Sequence, residues 1–214
     1  MKKEDTELLT QLDGFEPDLV FDIGANQGES IVRFKALWPD TRIESFEPRL
    51  SAYSQLVIVG KQYEGVRCNC YGLGDYNGTH VINEILDKNG FGGRSSILDH
   101  KILPAGHTTT KEVMTLFRLD DIIEDMPSFK RLFIKIDVEG YAKHVIDGAS
   151  ETIRRAYACL IEVNLNDKYD YDQTMTYEVR ERMTKLDFEF LGLTRKVISG
   201  VPLWQDELWI NSKG

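Results

Sequence analysis

No stretch of the chain approaches the roughly 18–20 consecutive apolar residues of a membrane-spanning helix, so no membrane span is expected. Cysteine is scarce: Cys68, Cys70 and Cys159 are the only three in 214 residues. An odd number at these spacings gives no disulfide framework. Cys68-x-Cys70 without a second pair or nearby histidines is a poor zinc site. The thiols therefore read as reduced residues of a cytoplasmic protein. Positive charge is also in deficit, with 26 Lys and Arg against 35 Asp and Glu, a net charge of −9. Affinity for nucleic acid rests largely on cationic contacts to phosphate, so neither nucleic acid nor an anionic membrane surface is an expected partner. Internal repeats, low-complexity tracts and composition shifts are missing too. One domain over 1–214 is expected, of a size that buries a substantial core. Met1 to Asp13 is charged and helix-like without a signal-peptide core, and residues 1–17 read as a helical leader.

What is present is concentrated at Val20-Phe21-Asp22-Ile23-Gly24-Ala25-Asn26-Gln27-Gly28. An apolar run, Leu19 to Ile23, ends in a glycine turn and a helix-forming segment follows, Ser30 to Leu37. A second apolar run, Ile43 to Phe46, ends in Glu47. Strand, glycine turn, helix and acid-tipped strand make a unit that binds an adenosine-type cofactor at the carboxyl ends of parallel strands. Gly24 and Gly28 let backbone pass close to a ligand, and Glu47 can accept from both hydroxyls of a ribose.

The spacing Gly24-x-Asn26-x-Gly28 lacks the third glycine of the dinucleotide fingerprint. Asp22 would also set an anion near a pyrophosphate that wants free N–H groups. An acid there suits a cation, and S-adenosylmethionine carries a sulfonium and an ammonium. The D-x-G-x-N-x-G turn reads as the first motif of a methyltransferase. A nicotinamide-dependent oxidoreductase of Rossmann fold is the rival enzyme; a non-catalytic S-adenosylmethionine-binding protein is the rival outside enzymes.

Further along, Leu132 to Gly140 runs Leu-Phe-Ile-Lys-Ile-Asp-Val-Glu-Gly, an apolar strand ending in an acid. With the glycine turn and Ser45-Phe46-Glu47-Pro48, it resembles the FkbM family of S-adenosylmethionine-dependent methyltransferases. Tyr71-Gly72-Leu73-Gly74-Asp75-Tyr76-Asn77-Gly78, Ser95-Ser96-Ile97-Leu98, Leu119-Asp120-Asp121-Ile122-Ile123 and Leu160-Ile161-Glu162-Val163 are similar to further segments of that family. The resemblance covers roughly residues 18 to 165, and Lys135 to Gly140 is its most specific part. It departs at Ala142, where members often carry a second acid, and at His144, where an apolar or acidic residue is usual. It implies a Rossmann-like class I α/β fold. The sheet would have seven mostly parallel strands, helices on both faces and a C-terminal antiparallel hairpin. It implies O-methylation of a hydroxyl on a sugar, glycan precursor or natural product, within processes such as polysaccharide biosynthesis.

Alternating strands and helices support a parallel sheet. Strands are expected at Leu19 to Ile23, Arg42 to Phe46, Val66 to Tyr71, Arg131 to Ile136 and Tyr157 to Asn164. Phe188 to Leu193 and Leu203 to Ile210 form the hairpin. Thr79 to Ile85 and Lys111 to Phe117 are β-prone and expected to pair. Between them, 87–110 is rich in glycine and turn residues. A loop of that length is usually functional or disordered, and it reads as a lid over the acceptor, carrying His100 and His107.

The cofactor set is therefore Asp22, Gly24, Ala25, Asn26, Gly28, Glu47, Pro48, Gly74, Asp75 and Asp137. Asp75 is placed to accept from the adenine amino group. For catalysis, Asp137 ends the fourth strand of the parallel set and is the first choice for orienting or deprotonating the acceptor. Glu139 and Lys135 stand beside it, and His107 is a lid residue able to act as base. Lys135 shares a strand face with Asp137 and is expected to pair with Asp137 or Glu162. No metal is expected; Asp137, Glu162 and Asn164 are a weak alternative as an oxygen-ligand set for Mg²⁺. The acceptor, the methylated position and the oligomeric state are not legible.

Overall fold

The computed structural model describes residues 7–86, 96–99, 106–165, 172–198 and 201–213. In chain order the elements are β1 (Leu19–Ile23), α1 (Glu29–Leu37), β2 (Arg42–Phe46), α2 (Leu50–Gly60), β3 (Val66–Asn69), β4 (Gly72–Leu73), β5 (Gly78–Leu86) and β6 (Thr108–Phe117). They continue as α3 (Leu119–Ile122), β7 (Leu132–Ile136), α4 (Ala142–Gly148), α5 (Ser150–Arg154), β8 (Ala156–Asn164), α6 (Thr176–Lys185), β9 (Phe188–Ile198) and β10 (Val201–Asn211).

Seven strands form one sheet in the order β3-β2-β1-β7-β8-β10-β9. β10 runs antiparallel to both β8 and β9, and the other pairings are parallel. The strand order reverses between β1 and β7, and that crevice is where open α/β sheets bind ligands. Every residue of β1 and of β7 is buried, as expected of parallel strands covered on both faces.

The period-two alternation of a strand splits the interior into two cores. Leu19, Phe21, Ile23, Leu132, Ile134 and Ile136 face one core, closed by Val145 and Ile146 of α4, Ile153 of α5, and Val179 and Met183 of α6. Val20, Ile43, Phe133 and Leu160 face the other, closed by Ile31 and Phe34 of α1, Leu56 of α2, and Leu8, Leu9 and Leu12 of the leader. Trp38 closes one end of α1, its indole N–H donating to the Phe15 carbonyl at 3.1 Å. The expected leader helix from Glu4 falls partly outside the described residues; residues 7–9 are helical.

β5 and β6 pair antiparallel, as expected, from Gly78↔Leu116 to Leu86↔Thr108. They form a second sheet, with the two-residue strand β4 added parallel to β6. The expected strand to Tyr71 ends at Asn69, and the chain then crosses to this small sheet. The loop expected at 87–110 is shorter, because β6 begins at Thr108. Of that loop, residues 87–95 and 100–105, His100 included, lie outside the described residues. Among the described residues no helix is long and apolar enough to cross a membrane.

Candidate active site

The glycine turn leaves β1 in left-handed backbone: Gly24 at φ 79°, Asn26 at φ 49° and Gly28 at φ 95°. Glycine meets such angles without strain, and asparagine is among the residues that tolerate them. Gly24 has a second constraint, since a β-carbon there would lie 1.9 Å from the Asp137 carbonyl oxygen. The turn after β1 and the end of β7 are thus in backbone contact. The Gly24 and Ala25 N–H groups both donate to the Phe46 carbonyl at 3.0 Å, which ties the turn to the end of β2.

Asp22 is fully buried and sits opposite Lys135 in the β1–β7 register. Its Oδ2 accepts from the Ser30 hydroxyl of α1 in a short hydrogen bond. Its Oδ1 has no aligned hydrogen-bond donor among the described residues but faces Lys135 Nζ at 3.3 Å, an ionic contact. Lys135 Nζ is also 3.3 Å from Asp137 Oδ2. Burial works against the lysine's charge, but Asp137 and Asp22 outweigh it and hold its pKa above the ordinary value. Of the two partners expected for Lys135, Asp137 is the one it meets, and Asp22 takes the other side. The side chain of Asp137 is about a third exposed, so it is the member of the trio that meets the crevice.

Glu47 follows β2 and is 3 % exposed. Its Oε2 accepts from the Asn26 N–H at 3.0 Å. Its Oε1 accepts from the Arg49 N–H at 3.0 Å and from Arg49 Nε at 2.9 Å. Arg49 Nη2 donates to Asn26 Oδ1 at 2.8 Å. The guanidinium therefore closes a ring through the acid expected to hold the ribose and the asparagine of the glycine turn. Sequence reasoning missed Arg49; the available signal was a cation two residues after that acid, directly before α2. Pro48, between them, packs near Gly72 of β4.

Gly74 and Asp75 follow β4. They pack along α4, where a β-carbon on Gly148 would fall 1.7 Å from the Gly74 carbonyl oxygen. Asp75 Oδ2 is 2.9 Å from His144 Nδ1, and Asp172 Oδ2 is 2.9 Å from His144 Nε2. Tyr141 stacks on His144 with centroids 4.1 Å apart. Burial, with Asp75 beside it, raises the Tyr141 phenol pKa. Lys143 hydrogen-bonds Asp172 at 2.6 Å, and that bond, aided by His144, lowers the Asp172 carboxyl pKa. Asp172 was not singled out in the sequence.

Glu139 and Gly140 form a left-handed turn at φ 46° and 93° between β7 and α4. The Glu139 carbonyl accepts from the buried Ser96 hydroxyl at 2.7 Å, and Ser96 exchanges backbone hydrogen bonds with Asn83 of β5. Ser96 therefore ties the segment between β5 and β6 to the end of β7. His107 stands just before β6, half-buried, at the loop end of that hairpin. Glu162 and Asn164 lie within β8, in register with Asp206 and Trp204 of β10. Among the described residues no three His, Cys, Asp or Glu side chains converge as a metal site.

A sheet of this order with its ligand turn at the β1–β7 crevice is the class I methyltransferase fold, and solved structures agree. The chain is similar to magnesium protoporphyrin IX methyltransferase from Synechocystis PCC 6803, solved with bound SAM, at TM-score 0.56 and 8 % identity over 98 % of this chain and 77 % of that one. It is similar to precorrin-6y C5,15-methyltransferase from Geobacter metallireducens GS-15 at TM-score 0.51 and 15 % identity, over 98 % and 89 %. It is also similar to 1,6-didemethyltoxoflavin-N1-methyltransferase from Burkholderia thailandensis at TM-score 0.53 and 10 % identity, over 98 % and 77 %. No curated protein matches the chain in sequence. The methyltransferase FkbM domain matches residues 22–190, and the chain belongs to the FkbM methyltransferase family. It is an S-adenosylmethionine-dependent methyltransferase, which sets the nicotinamide reading aside.

Proposed function

We propose that this methyltransferase transfers the methyl group to a hydroxyl of a sugar, a glycan precursor or a natural product, with the carbohydrate favoured by the family resemblance. The observation that carries this reading is Asp137. It ends β7 in backbone contact with the Gly24 turn, and its carboxylate is held by Lys135 yet open to the crevice. S-adenosylmethionine supplies an electrophilic methyl group when bound. The protein's work in such an in-line displacement is mostly alignment. A carboxylate already paired with an ammonium is suited to orient an incoming hydroxyl by accepting its hydrogen bond.

Glu47 would take the ribose hydroxyls, and the Gly24–Gly28 turn the amino-acid end of the donor. Asp75, paired to His144 and beside Tyr141, is better suited to the acceptor side than to adenine. The segment 87–107, tethered through Ser96, would cover the acceptor as a lid. Amino-methylating nucleic-acid enzymes usually show an Asn/Asp-Pro-Pro-aromatic turn at this strand end. Asp137-Val138-Glu139-Gly140 is a different turn, and with the net charge of −9 it supports an acceptor other than nucleic acid. Three free cysteines support a cytoplasmic setting.

The test is a product screen. Purified protein with S-adenosylmethionine and a panel of glycans, sugar nucleotides and polyhydroxylated natural products is followed by mass spectrometry for methyl gain. Methylation confined to nitrogen or carbon acceptors would overturn the hydroxyl assignment.

A further inference from the structure

Glu47 is crowded for a residue that must bind two hydroxyls. A carboxylate offers about four acceptor positions, and three are filled by the N–H groups of Asn26 and Arg49 and by Arg49 Nε. A ribose diol brings two donors. One protein donor has to yield, and the backbone N–H groups are fixed by the glycine turn and by the start of α2. The side-chain Nε of Arg49 is the donor that can leave.

Where the guanidinium would go is set by its surroundings. Arg49 is 5 % exposed, so it has no ready path to water. Its Nη1 lies 4.0 Å from Glu84 Oε1, an ion pair at the limit of contact. Glu84 belongs to β5 and pairs in register with Thr110 of β6, two residues from the loop end of the hairpin. It also accepts from Ser51 of α2 and from Thr110. The neighbouring contact of the hairpin with α2, Leu50 N–H to Glu112 Oε1 at 3.1 Å, leads from the same helix start.

We propose that Arg49 is a positioning residue that couples cofactor binding to the β5–β6 hairpin. Ribose hydroxyls displace its Nε from Glu47, the guanidinium closes onto Glu84, and the β5–β6 hairpin is drawn against the start of α2. The inference rests on Glu47 as the ribose-binding acid.

The test uses S-adenosylhomocysteine and the full chain, and needs no acceptor. Titration calorimetry compares wild type, Glu84→Gln, Arg49→Gln and the double variant. Glu84→Gln should weaken binding about 5-fold or more when Arg49 is present, the lower end of ordinary coupling between sites. With Arg49→Gln the same change should cost little. Hydrogen exchange should show ligand-induced protection over residues 78–86 and 108–117 in wild type and not in Arg49→Gln. An equal loss from Glu84→Gln in both backgrounds, or protection that survives Arg49→Gln, overturns the coupling. Should Arg49→Gln fail to fold by circular dichroism, Arg49→Lys replaces it, since lysine keeps the charge but cannot bridge Asn26, Glu47 and Glu84 together. Glu47→Ala separates the two levels. If it binds as wild type does, the ribose assignment has failed; if it binds weakly while the cycle is additive, only the coupling has.

Discussion

Lys135 and Asp22 face each other across the β1–β7 pairing, with Nζ 3.3 Å from Oδ1 and both side chains 5 % exposed or less. The pair stands in the middle of a sheet whose neighbours are apolar on both faces. Removing one partner of a buried pair leaves an uncompensated charge, at a cost of about 3–5 kcal/mol. Lys135→Met should lose about that much in urea unfolding.

The pH dependence of this contribution has a fixed sign. Lys135 has a folded pKa raised above its reference value of 10.5. Its stabilisation is therefore fully present below that unfolded-state value and is lost only as pH rises through the higher folded one. The stability difference between wild type and Lys135→Met should stay level from about pH 7.5 to about pH 9.5. A difference that shrinks across that window would show that the lysine is not held in its charged form.

Glu47→Ala should weaken S-adenosylmethionine binding by about 1.5–3 kcal/mol, the range for hydrogen bonds to a charged group. Calorimetry measures this, with a thermal melt to confirm folding. An unchanged affinity in a folded variant would remove Glu47 from the cofactor site.

Asp137→Asn keeps the shape of the strand end and removes the charge. Cofactor affinity should change little, while turnover on the true acceptor falls by roughly 10²- to 10⁴-fold if Asp137 deprotonates it. If Asp137 instead holds a metal, a chelator should abolish wild-type turnover and Mg²⁺ or Mn²⁺ should restore it. Wild-type turnover in Asp137→Asn would move the chemistry to Glu139 or His107.

Gly148→Ala tests the fit of α4 against β4. Alanine in place of glycine ordinarily favours a helix by close to 1 kcal/mol. Here the new β-carbon would fall 1.7 Å from the Gly74 carbonyl oxygen, so backbone must move. We expect a net loss of about 1–3 kcal/mol, as for other overpacked sites. A melting temperature at or above wild type would show that the two segments separate without cost.

The parallel sheet was legible because β1, β2 and β7 are short apolar runs that end in glycine or acid. The same runs pointed to Asp22, Glu47 and Asp137. Lys135 was legible as an oddity, but its partnership with Asp22 depends on the register of β1 against β7, which no local pattern encodes. Arg49 and Asp172 were missed because a charged residue in a connecting segment looks like solvated surface until its neighbours are known. β4 has two residues, too few for any periodicity. β9 runs past its expected end at Leu193 because Thr194 and Arg195 continue the pairing, their side chains hydrogen-bonded to Asp206 and Gln205 of β10.

Gly24 and Asp137 touch through backbone, whereas β4, β5 and β6 form a separate three-stranded sheet. Substitutions in the small sheet therefore reach the Glu47–Arg49 ring through side chains such as Glu84 and Glu112 and leave the β1–β7 backbone ladder as it is.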